Sequence, residues 1–203
     1  MGRVIVVRRQ ASAYGLGHVG WAYQENDGSW MCGATENPAN SLGGVGDQKG
    51  FWAEKYDPQY VPKVFGAKRV LPSGTCAPYD HYKIITTRRA DSSDAWSKAC
   101  WCKVQPFLVP FRDCLDDDYD ILATYGADLP LPIVAFPNLW FDLIASRALP
   151  VPAPGQRPIP ATKPTSVPGS APLWRRPDTD EARELHHLQV KYAFGREQTV
   201  PSP

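Results

Sequence analysis

No apolar run in this 203-residue chain approaches the roughly 20 residues of a membrane-spanning helix, and no charge of one sign prevails. With 22 Lys and Arg against 21 Asp and Glu, the net charge is +1. That balance gives no reason to expect a nucleic acid or an anionic membrane surface as partner. The start, Met1-Gly2-Arg3-Val4-Ile5-Val6-Val7-Arg8-Arg9, has too short an apolar stretch for a signal peptide. Localisation is therefore expected to be cytoplasmic, or reached by a non-classical export route. Val6 stands where an N-myristoylation motif wants Ser or Thr, so no lipid anchor is expected.

Metal-type cysteine spacing is also missing. The five cysteines are Cys32, Cys76, Cys100, Cys102 and Cys114, an odd number, so at least one stays unpaired in a monomer. Cys100-Trp101-Cys102 is too tight for a zinc knuckle, and the usual two-residue spacing is absent. No metal or cofactor is expected.

What is present divides at about Leu149. Pro150, Pro152, Pro154, Pro158, Pro160, Pro164, Pro168, Pro172 and Pro177 follow within 28 residues, a density that opposes helices and sheet ladders. The expected organisation is a folded domain over 1–148 and a proline-rich extended tail over 149–203. A short helix is predicted near 179–194, opened by Thr179-Asp180-Glu181 and carrying Leu185, Leu188 and Tyr192 on a loose apolar stripe. Residues 150–203 are expected to dock on the domain or on a protein partner.

Within the domain the pattern predicts strands over about 4–10, 18–24, 29–36 and 82–87. Asp27-Gly28 reads as a hairpin turn, and residues 37–50, rich in Gly, Asn and Ser, as a loop. A helix capped by Asp91 or Ser92 runs to Val104. A second runs from about Asp113 to Tyr125 with Gly126 as its C-cap. Strands with segregated helices argue an α+β fold: an antiparallel sheet with a cysteine-bearing helix packed beside it.

Two segments carry chemistry. Gly17-His18-Val19-Gly20-Trp21-Ala22-Tyr23 is a strand opening on a histidine, and Arg112-Asp113-Cys114-Leu115 a helix opening on a cysteine. A helix N-terminus favours a thiolate and offers free N–H groups to an oxyanion. Asp116, Asp117 and Asp118 oppose this by raising the thiol pKa, which makes a histidine partner more necessary. A two-residue Asp27-Gly28 loop would pair His18 with Asn37, and neighbouring registers would pair it with Glu36 or Thr35. Glu36 is favoured as the third group because a carboxylate also stabilises imidazolium, with Asn37 next. Trp21 and Trp52 are the candidate walls of a substrate cleft, with the 37–50 loop. His81 has only Asp80 nearby in sequence. His186 and His187, being adjacent, cannot share a helix face to bind metal. The plainer alternative is a structural histidine and a core cysteine that never meet.

Gly17-His18-Val19-Gly20 resembles the histidine strand of NlpC-type cell-wall peptidases, with the cysteine helix following the strand here instead of preceding it. That order is similar to the circularly permuted branch of the papain-like thiol enzymes, which includes lecithin–retinol acyltransferase-like proteins and permuted NlpC-like hydrolases. Gly33-Ala34-Thr35-Glu36-Asn37 and Pro137-Asn138-Leu139-Trp140-Phe141-Asp142 fit the same resemblance, which spans roughly residues 14–142. It implies a permuted papain-like fold, Cys114 as nucleophile, His18 as base and a polar third residue on the next strand. The activity implied is cysteine-dependent hydrolysis of a peptide or peptidoglycan-type amide. A lipid acyltransferase and a non-catalytic papain-like scaffold are the alternatives. The chain departs from the family at Leu115-Asp116, where the peptidases have Ser-Gly, and at Asp113, where the acyltransferases have Asn.

Overall fold

The β-branched run Val4-Ile5-Val6-Val7 is buried on both faces, so it belongs inside a sheet covered on two sides. It forms β1 (Gly2–Arg9). The computed structural model describes residues 1–40, 42–108, 111–132 and 136–152. The predicted tail helix near 179–194 and most of the proline-rich segment lie outside them.

β1 pairs with β2 (His18–Gln24) on one side and β7 (His81–Thr87) on the other. Beyond β2 lie β3 (Trp30–Thr35) and β4 (Phe51–Tyr56), and beyond β7 the short β8 (Leu149–Pro150). The order is β4-β3-β2-β1-β7-β8, six strands with every pairing antiparallel. Between β4 and β7 the chain forms α1 (Val61–Phe65) and a two-stranded hairpin of β5 (Arg69–Leu71) and β6 (Gly74–Cys76). The sequence reading expected none of β4, α1, β5 or β6. It also ended the domain at 148, whereas β8 and the Val151 N–H, which donates to Asp80 O at 2.9 Å, carry the fold to Pro152.

One face of the sheet holds α2 (Ser92–Val104), α3 (Cys114–Tyr125) and α4 (Pro137–Leu143). Val4, Val6, Val19, Trp21 and Tyr23 point into this layer and meet Ile121, Leu122, Trp140 and Phe141. Each fully buried Ile or Leu here contributes about 1.5–3 kcal/mol. The other face packs Ile5, Val7, Ala22 and Trp52 against Phe65 and Tyr79. The architecture is α+β, as the pattern predicts.

Local signals set the helix ends. Asp91 accepts the Asp94 N–H at α2. At α3 the Asp113 carboxyl accepts the Leu115 N–H at 2.8 Å, and Asp116 Oδ2 accepts the Asp113 N–H at 3.0 Å, a reciprocal capping box. Gly126, at φ +114°, closes the helix in the left-handed region.

Candidate active site

His18 enters β2 from Gly17, which has φ +94° and no room for a Cβ: one would stand 2.3 Å from the Asn138 side chain. Asn138, near the start of α4, fixes the incoming loop. Its Nδ2 donates to Gln10 O and Gly15 O, and its backbone N–H to Leu16 O. The histidine therefore emerges from a tied loop onto a strand packed on both faces.

The hairpin turn decides what faces it. Glu25 N–H bonds Ser29 O at 2.8 Å and Gly28 takes φ +84°, so the loop holds three residues, Asn26 to Gly28. Trp21 then pairs with Gly33, and continuing that register sets His18 against Glu36. His18 Nε2 lies 3.2 Å from Glu36 Oε2. The approach is too oblique for an aligned hydrogen bond, and the contact is an electrostatic one.

Glu36 itself is densely held. Arg9 Nη2 donates to Oε2 at 2.9 Å; Trp52 Nε1 and Tyr79 Oη donate to Oε1 at 3.1 and 3.0 Å. Burial alone would push this carboxyl up, but His18, Arg9 and Trp52 together hold it far below the usual range, so it is a carboxylate at neutral pH. The Tyr79 ring also stacks on the His18 imidazole, with centroids 5.6 Å apart. Tyr79 and Arg9 were missed by the sequence reading; neither stands at a motif spacing, and only the fold brings them to Glu36.

Cys114 is the first residue of α3 and is 6% exposed. The backbone N–H of Val19, next to His18, points at its sulfur. Burial pushes the thiol well up, and Asp113, Asp118 and Asp117 add to it, so the resting sulfur is protonated. Cys114 and His18 line one cleft of about 340 Å³ with Glu36, Asp113, Leu16 and Phe107.

The helix start differs from expectation in one respect. The N–H groups of Leu115 and Asp116 are taken by the Asp113 carboxyl, which leaves the Cys114 N–H as the group this helix start can offer a ligand. Part of the acidic run is buried. Asp117 is buried and accepts from Thr35 Oγ1, Lys49 Nζ and Arg112 Nη2 at 2.6, 3.0 and 2.6 Å, while Lys49 also reaches Cys102 O at 2.7 Å. This network ties the cysteine helix to β3, to the segment before β4 and to the end of α2. Asp118 is fully buried, and neither of its oxygens has a hydrogen-bond partner among the described residues.

The remaining expected residues fall elsewhere. Asn37 borders the cleft in a left-handed conformation, φ +41°, with its N–H on Lys49 O, one residue beyond the position opposite His18. Trp21 is fully buried under the helices, covering Gly33, and forms no cleft wall. Alternation along β2 sends it to the face opposite His18. Trp52 is likewise absent from the cleft lining; its indole N–H orients Glu36 instead. All five cysteines are free, and no cluster of three or more His, Cys, Asp or Glu suited to a metal occurs among the described residues.

No protein-family model, no curated protein and no solved structure matches this chain. No helix among the described residues is long and apolar enough to cross a membrane.

Proposed function

We propose that the chain is a cysteine-dependent acyl-transfer enzyme of the permuted papain-like kind, acting on a peptide or peptidoglycan-type amide. The observation that carries the reading is the shared cleft, lined both by Cys114 at a helix N-terminus and by His18, whose Nε2 lies 3.2 Å from the Glu36 carboxylate.

With Nε2 toward Glu36, this reading assigns the Cys114 proton to Nδ1. Because the thiol rests protonated, that transfer accompanies attack: sulfur bonds to the carbonyl carbon as the proton passes to His18. Glu36 stabilises the imidazolium, and the Cys114 N–H supports the oxyanion. Collapse breaks the C–N bond, and His18 returns its proton to the leaving amine. A water then gives its proton to His18 and attacks the thioester, releasing the acid and restoring the thiol.

A second reading is a non-catalytic scaffold whose residues 150–203 hold a partner. The raised thiol pKa and the oxyanion donors spent on Asp113 favour it. Iodoacetamide separates the two in a Cys100→Ser background, which removes the exposed thiol. The enzyme requires stoichiometric alkylation of Cys114 that slows at least tenfold in His18→Ala and in Glu36→Gln. Equal rates in all three proteins reject the catalytic assignment.

A further inference from the structure

β4 is an edge strand of the sheet, and among the described residues one side of its backbone has no neighbouring strand. Its free groups can be identified. The Glu25 N–H to Ser29 O bond fixes the alternation between β2 and β3, so Cys32 and Ala34 direct their backbone bonds toward β4, onto Glu54 and Trp52. The Glu36 N–H to Gly50 O bond, 3.2 Å, continues the same alternation. Phe51 and Ala53 therefore turn their N–H and C=O groups outward.

That outward edge forms the floor of a trough of about 360 Å³. Trp96, Cys100 and Lys103 of α2 wall one side, and Leu71 and Pro72 the other. Raised walls on both sides keep out the flat edge of a second sheet and admit a single strand. The trough and the cleft border a common cavity. A cavity of about 580 Å³ between them shares Asp47 and Pro72 with the trough and Leu42 with the cleft. His18, Glu36 and Gly50 occupy successive rungs of neighbouring strands, so the β4 edge runs about 10 Å from the imidazole, two strand spacings.

We infer that the edge of β4 captures the distal part of an extended polypeptide substrate by strand addition, in register with Phe51 and Ala53. The inference rests on the acyl-transfer reading for the identity of the bound chain. Main-chain bonds supply affinity, and side chains alternate between the Trp96 wall and the Leu71 wall. The scissile carbonyl lies about three extended residues beyond the edge, at roughly 3.3–3.6 Å per residue.

The test uses the full chain and a synthetic peptide of alternating Val and Thr, twelve residues long, with a Lys at each end. Amide hydrogen exchange is followed at Phe51 and Ala53, and affinity by fluorescence anisotropy. The expected result is at least tenfold slower exchange at both amides with peptide present. Ala53→Pro should weaken binding at least tenfold, since proline removes an outward N–H and is tolerated on an edge strand. Trp96→Ala should weaken it as well, through lost side-chain contact. Unchanged exchange, absent binding, or equal affinity in Ala53→Pro overturns the inference. Cys114 alkylation is measured alongside. A peptide lengthened by four residues at either end should slow it at least threefold; edge protection without such slowing overturns the substrate assignment. An unreactive Cys114 with a protected edge defeats the acyl-transfer reading and leaves a peptide-binding edge.

Discussion

Arg9 Nη2 lies 2.9 Å from Glu36 Oε2, and both side chains are nearly withdrawn from solvent, 12% and 2% exposed. The Arg9 guanidinium also stacks on Tyr79, 4.6 Å from the ring centroid, and donates from Nε to Pro78 O. The carboxylate opposite His18 thus depends on a cation that also borders the cleft.

Arg9→Met tests that dependence. It keeps most of the buried stem and removes the charge, leaving Glu36 without its full-time cation. Breaking a buried pair in this way costs about 3–5 kcal/mol. Urea denaturation at pH 7 should show a loss of that order. Cys114 alkylation should slow too, because a Glu36 carboxylate no longer oriented by Arg9 supports the imidazolium less well. A loss below about 1 kcal/mol would mean that Trp52, Tyr79 and His18 hold the carboxylate alone.

The hairpin was the most informative piece of sequence. Asp27-Gly28 marks the turn, but loop length decides among Thr35, Glu36 and Asn37. A three-residue loop in place of a two-residue one moved the partner from Asn37 to Glu36, a difference that turn chemistry alone does not determine. The capped start of α3 and its Gly126 end were legible because capping is local. The β4 strand was not, since Phe51-Trp52-Ala53-Glu54-Lys55-Tyr56 breaks the apolar alternation with Lys55 and borders a glycine-rich loop. Nor was the role of Trp52. Its distance to Glu36 depends on the β3–β4 register, a long-range property. The burial of Asp117 leaves no local mark in the sequence, because its counterions, Lys49 and Arg112, come from two separate segments.

Stability should fall as pH rises from about 4 to 7. Burial, with Asp113 next to it, pushes Asp116 from 3.8 up to about 7. Between those values the folded state binds more protons than the unfolded chain, so stability declines with pH across the window. Below it the sign reverses. Glu36 is depressed in the fold, so its contribution is present above the ordinary carboxylate range and is lost on acidification. The optimum is expected near pH 4–5. Asp116→Asn retains an acceptor for the Asp113 N–H and removes the titration, so its decline between pH 5 and 7 should be shallower. Melting temperatures that rise over this interval in the natural protein would contradict the raised Asp116.

Asp118 sits one helical turn from Cys114, fully buried, with both carboxyl oxygens unpartnered. Burial, then Asp117, Glu36 and Asp113, drive its pKa well above 3.8, so it is held as the neutral acid. A neutral, unbonded acid in the core still carries a desolvation penalty of about 1–3 kcal/mol. Asp118→Leu fills a similar volume without that penalty. The melting temperature should rise by about 2–4 °C per kcal/mol gained in a chain of this size. The gain should grow with pH, because keeping the aspartic acid protonated becomes more costly as protons grow scarce. Thermal unfolding of the pair at pH 5 and pH 8 measures both effects. A leucine variant that melts lower at pH 8 would mean that Asp118 has a stabilising partner in solution.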